Sequence, residues 1–127
     1  RSLQWLQEIA RPVRRIAYVG DLDWDGLAAA DLARNAARQA GLPEVEPATE
    51  LHARMLSAAT RLGRPDGWPH AGARDRVEGE RLLSFVAPQH RAPVGEILAA
   101  KRRIPEEILA ANEWGEILAE AGQSSRA

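Results

Sequence analysis

Apolar residues along the chain fall into short runs and into stripes at helical spacing. Leu3, Trp5, Leu6 and Ile9 make the first stripe, a short helix or turn ended by Pro12. Arg14 to Gly20 then carries Ile16, Ala17, Tyr18 and Val19 in a row, which predicts a strand buried on both faces. From Gly26 to Ala40 the spacing predicts an Ala-rich helix with Leu27, Leu32 and Ala36 toward one side, and Gly41 and Pro43 supply its stop. A second short strand is expected from Glu44 to Pro47. Thr49 is placed to cap another helix, on which Leu51, Met55, Ala59 and Leu62 recur before Gly63 ends it. Strand, helix, strand, helix is the order of a parallel α/β sheet.

Gly63 to Ala73 is rich in glycine and proline and reads as loop, with Trp68 and His70 inside it. Beyond it the pattern turns helical. Asp75 and Glu78 have capping-box spacing ahead of Leu82, Leu83 and Val86, and Pro88 breaks that helix. Val94 to Arg102 predicts another. Pro105 at a first helical position, with Glu106 and Glu107 in the first turn, opens the last helix, whose apolar face holds Ile108, Ala111, Trp114, Leu118 and Ala121. Residues 123–127 read as a frayed tail. The whole chain, 1–127, is read as one domain, with an α/β part over 1–63 and a mainly helical part over 74–122.

Composition narrows the class. At 127 residues and 45% apolar the chain has enough material for one core, and it has no disordered character. Without cysteine there is no disulfide, thiolate ligand or thiol nucleophile. No apolar run reaches membrane-spanning length and no leader pattern is present, so a cytoplasmic setting is expected. The net charge of -1 gives no global nucleic-acid signal. Sixteen arginines against the single Lys101, beside 24 alanines, read as genome composition rather than as a phosphate-binding surface. The opening on Arg1 suggests a fragment of something larger.

The chemistry concentrates at Asp21, Asp23 and Asp25, which alternate between Gly20 and Gly26 at the carboxyl end of the first predicted strand. Ligands of open α/β sheets bind at that end, and residues two apart on extended backbone face one side. Asp21 and Asp23 can thus aim two carboxylates at one point. Like charges so close repel, and a hard cation such as Mg²⁺ relieves the repulsion. The plainer reading makes the aspartates caps of the next helix. An EF-hand loop fits less well, because its twelfth position, which needs a bidentate glutamate, falls on Leu32.

An apolar strand ending in Gly20-Asp21-x-Asp23, followed by Gly26 and a helix, resembles the Asp-x-Asp motif of Toprim domains. Within that family the turn from Tyr18 to Gly26 is similar to the Toprim-like carboxyl-terminal domain of the JetD nucleases of Wadjet plasmid defence. Arg102-Arg103-Ile104-Pro105 resembles a Glu-Arg-Ile-Pro segment near the end of those proteins. The resemblance implies a Toprim-like parallel sheet, truncated at its front, with a helical carboxyl-terminal half. It implies that Asp21 and Asp23 bind Mg²⁺ or Mn²⁺ and act as catalytic carboxylates on DNA phosphodiesters, with Asp25 as an outer ligand or cap. Trp24, Arg102 and Arg103 become candidate nucleic-acid contacts.

Two departures accompany the match. The glutamate that Toprim sites draw from an earlier strand is expected upstream of Arg1, and an acidic Glu-x-Glu is replaced by Ala99-Ala100-Lys101. The fragment alone is therefore expected to be weak or inactive as an enzyme. Its partners are expected to be DNA, further domains or subunits of the parent and a possible second copy, with no membrane. A non-catalytic docking or dimerisation module remains open, whereas a phosphatase-like site with Asp21 as nucleophile ranks last, because the usual small hydroxyl residue downstream of the pair is missing. His52, His70 and His90 lack metal-ligand spacing and read as surface or loop residues, Tyr18 as core, and Trp5, Trp68 and Trp114 as anchors. Glu78 and Glu80 are held in reserve as further carboxylates, and Arg91 with Lys101 as phosphate contacts.

Overall fold

Ile16–Ala17 (β1) and Val45–Glu46 (β2) pair in parallel, Ile16 opposite Val45 and Ala17 opposite Glu46. Parallel neighbours need a crossover, and the helix α1, Trp24–Gln39, supplies it. A computed structural model describes residues 15–110, 113–117 and 119. The fold is mixed α/β, with a sheet smaller than the sequence suggests. β1 is two residues long; Ala17, Tyr18 and Val19 are exposed and Ile16 is half-buried, so the expected strand buried on both faces is corrected. Its expected start at Arg14 and the first helical stripe lie outside the described residues.

α1 begins two residues ahead of the expected Gly26, because Asp23 rather than a later residue caps it. Leu27, Ala30 and Ala37 face the core, whereas Leu32 is exposed against expectation. α2, Thr49–Arg61, buries Leu51, His52, Met55, Ala58 and Ala59. Its cap position is Ala48, not Thr49, whose hydroxyl instead lies 3.5 Å from the Pro47 carbonyl. Leu62, expected on the apolar face, is exposed beyond the last turn.

The second half contains more than helices. α3 is Arg76–Leu82, capped as expected by Asp75, whose carboxylate accepts from the Glu78 N–H at 2.9 Å. A 3-10 turn over Leu83–Phe85 leads to α4, Pro88–Ala99. Pro88 starts α4 rather than simply breaking the previous helix, since a first-turn proline sacrifices no helical hydrogen bond. α4 ends at Ala99, three residues short of the expected Arg102, and Lys101 follows in the left-handed region at φ 58°. Arg102–Arg103 (β4) then pairs antiparallel with Trp68–Pro69 (β3), inside the expected loop. The turn Glu106–Ile108 is a 3-10 helix with Pro105 as its cap, not the opening of a long helix. Residues 113–117 are helical, and Ala111, Leu118 and Ala121 lie outside the described side chains.

One further pairing joins the halves. Leu22 and Ile104 form an antiparallel bridge, with N–H to carbonyl distances of 2.9 and 3.2 Å in the two directions. Both side chains are almost fully buried with Met55, Leu82, Val86, Val94 and Leu98. Asp31 adds a polar tie, meeting Arg34 at 2.6 Å and Arg81 of α3 at 2.7 Å. These contacts hold its carboxyl below the usual range, chiefly through the Arg81 hydrogen bond. No helix among the described residues is long and apolar enough to cross a membrane.

Candidate metal centre

The Leu22–Ile104 bridge fixes what surrounds the acidic turn. With Leu22 turned into the core, its neighbours Asp21 and Asp23 face the opposite side, as alternation on extended backbone requires. Ile104 brings its own neighbours to them. The Arg103 guanidinium lies 3.4 Å from Asp21 Oδ2 and 3.4 Å from Asp23 Oδ2. The Glu106 N–H donates to Asp21 Oδ1 at 2.8 Å.

Asp23 is the buried member of the pair at 3% exposure. Its Oδ1 accepts from the Gly26 N–H at 2.6 Å and caps α1, which leaves Oδ2 facing Arg103 and His70 Nε2, the latter 3.8 Å away. Gly26 is needed because the chain folds back on itself. A Cβ there would collide with the Asp21 carbonyl oxygen and come within 3.2 Å of Asp23 Oδ1. Asp25 goes elsewhere: it is exposed in the first turn of α1, with Arg74 at 3.2 Å.

Asp21 does meet two other carboxylates. Ligand oxygens of Asp21, Glu106 and Glu107 lie within 4.8 Å of one another. Glu106 Oε2 is buried without a hydrogen-bond partner. Burial, then the charges of Asp21 and Glu107, push the Glu106 carboxyl above its ordinary value. An orphaned oxygen amid like charges is a costly arrangement, and a hard cation satisfies both the oxygen and the repulsion. The all-oxygen donor set suits Mg²⁺ or Mn²⁺. Asp21, Glu106 and Glu107 could hold such an ion.

Several residues change role. Arg103 is spent on the aspartates, while Arg102 donates to the Asp66 and Gly67 carbonyls at 2.9 and 2.7 Å. Arg91 donates to the Val86 carbonyl at 2.8 Å. Glu78 and Glu80 face Arg74 and Arg76. Tyr18 is not core: it is 36% exposed, its ring lying against Gly20. His52, read as surface, is buried on α2 with Nδ1 unpartnered. Burial and the nearby His90 lower its pKa to about 4. His70 comes off its loop to the acidic turn.

Sequence reasoning placed the acidic turn but missed Glu106 and Glu107, which looked like first-turn acids of a helix. The signal that could have found them was their position just after the Arg-Ile-Pro segment of the resemblance. No protein-family model, curated protein or solved structure matches the chain.

Proposed function

We propose that the acidic turn is the divalent-metal centre of a Toprim-like domain acting on DNA phosphodiesters within a larger protein. The observation that carries this reading is Glu106: one of its oxygens is buried and unpartnered, and its carboxylate clusters with those of Asp21 and Glu107 beside the Asp-x-Asp turn. The two expected departures bear on it differently. Glu106 and Glu107 offer carboxylates from outside the motif. The position before Arg102 remains Lys101.

A bound Mg²⁺ or Mn²⁺ supplies Lewis-acid stabilisation of charge building on a phosphodiester oxygen. The chain's own groups do the rest. Asp21, Glu106 and Glu107 give hard oxygen ligands, and Asp23 fixes the turn by capping α1. Arg103, 36% exposed in its side chain, can exchange its aspartate contacts for a non-bridging phosphate oxygen. His70 lies beside Asp23, its Nε2 3.8 Å from Asp23 Oδ2.

One observation favours a second reading. Arg103 already lies between Asp21 and Asp23, where it balances their charge without metal. A non-catalytic docking or dimerisation module would keep the acidic turn in that state.

Calorimetric titration with Mn²⁺ and Mg²⁺, beside an Asp21→Asn/Glu106→Gln double variant, decides between them. Binding that the variant abolishes, with metal-dependent nicking of supercoiled plasmid by the parent protein, supports the metal centre. Absence of binding in the parent sinks it and leaves the module.

A further inference from the structure

Next to the acidic turn runs a groove of about 380 Å³, formed where the amino-terminal end of α1 meets α3, the carboxyl-terminal end of α4 and the loop before α3. It is within the size range of small-ligand sites. Trp24 lines it, half-buried and directly between Asp23 and Asp25. The ring lies flush on α3 because Gly79 has no side chain: a Cβ there would sit 3.1 Å from Trp24 Cη2. Gly95 and Ala99 keep the opposite wall low.

The charges on the rim are unevenly used. Arg74 faces Asp25 and Glu78, Arg76 faces Glu80, and Asp75 caps α3. Lys101 is exposed and has no ion-pair partner among the described residues. Its backbone is in the left-handed region, at the position after a helix where glycine is the usual occupant. A lysine held there at a conformational cost suggests that its charge is used. Backbone contacts tie the groove's wall to the acidic turn. The Lys101 carbonyl accepts from the His70 N–H at 2.9 Å, and His70 Nε2 lies 3.8 Å from Asp23 Oδ2.

We propose that this groove takes one unstacked base of a single-stranded nucleic acid, the base against Trp24 and an adjacent backbone phosphate on Lys101. The choice of nucleic acid rests on the function proposed above. The choice of single strand rests on the groove, because a base inside a duplex cannot reach a ring recessed between two helices.

The test is anisotropy of a fluorescein-labelled dT12 strand, titrated with the protein in EDTA, where the metal centre plays no part. Trp24→Leu is expected to weaken binding about tenfold. Lys101→Gly is expected to weaken it several-fold and to lower the salt slope by about one. The same Lys101→Gly change should raise the melting temperature, because glycine accepts the left-handed backbone. A more stable protein that binds less well separates a binding role from a structural one. Wild-type affinity in both variants, no binding of dT12 at all, or tighter binding of a blunt duplex overturns the proposal. Mn²⁺ calorimetry on the same preparations reports the metal centre separately, so either reading can fail while the other stands.

Discussion

Leu22 and Ile104 exchange both backbone hydrogen bonds, and this one bridge places the acidic turn against Arg103 and Glu106. Truncating either side chain should therefore damage two things at once. Ile104→Ala is expected to cost about 2–5 kcal/mol of stability and to lower Mn²⁺ affinity. Met55→Ala, equally buried but on α2, should cost a similar amount and leave affinity unchanged at temperatures where it is folded. Denaturant melts paired with calorimetry check both, and equal affinities in the two variants would show that the bridge does not position the site.

On the proposed reading, Arg103 competes with a cation for the aspartates. Arg103→Gln should make the metal-free protein less stable by about 1–3 kcal/mol, because Asp23 is buried and loses its charge partner. The same change should raise Mn²⁺ affinity several-fold. A fall in affinity would mean that Arg103 helps to build the site rather than filling it.

Glu106 gives the opposite sign. Its carboxyl is raised above the ordinary value, so the folded state holds its proton more tightly than the unfolded chain. The contribution to stability is present at low pH and is lost as pH rises through the folded pKa. Glu106→Gln should thus raise the metal-free melting temperature at neutral pH while abolishing the stabilisation that added Mn²⁺ gives the wild type. A variant that melts lower than wild type without metal would contradict this account.

His52 sets an acid limit. Its pKa falls from 6.5 to about 4 on folding, through burial and then the charge of His90. The folded state binds fewer protons, so stability is complete above about pH 6.5 and declines toward pH 4, by at most roughly 3 kcal/mol. His52→Leu should flatten the decline between those values in urea melts at stepped pH. An unchanged slope would assign the acid loss to other groups.

Gly26 and Gly67 test backbone approach. A Cβ at Gly67, which has φ 78°, would collide with the Arg103 carbonyl oxygen, just as one at Gly26 would collide with that of Asp21. Each Gly→Ala change should cost about 1–3 kcal/mol by overpacking. Of the two, Gly26→Ala should lower Mn²⁺ affinity more, since it displaces Asp21 and Asp23 directly.

What was legible in the sequence was local. The alanine-rich stretch gives α1, the spacing of Leu51, Met55 and Ala59 gives α2, and Asp75 with Glu78 gives the cap of α3. The turn from Gly20 to Gly26 announced itself because its charges follow an apolar run. What stayed hidden depended on distant partners. β3 and β4 are two residues each, too short for any periodicity, and exist only because they pair with one another. Glu106 and Asp21 are 85 positions apart, and nothing local marks them as neighbours. Pro88 was ambiguous for a different reason: proline can end one helix or open another, and packing decides which. His52 looked polar, but α2 turns it inward with Met55.

The β3–β4 clip has a kinetic consequence. The acidic motif is complete by Gly26, yet its surroundings come from residues 67–74 and 102–107, so a chain that has made only its first half holds aspartates with no site around them. Contacts across such a separation form late, after most loop-closure entropy has been spent. On the proposed reading, the ability to bind a divalent ion would then arise only when the carboxyl-terminal half has docked, and on a nascent or nicked chain it would mark the completion of folding.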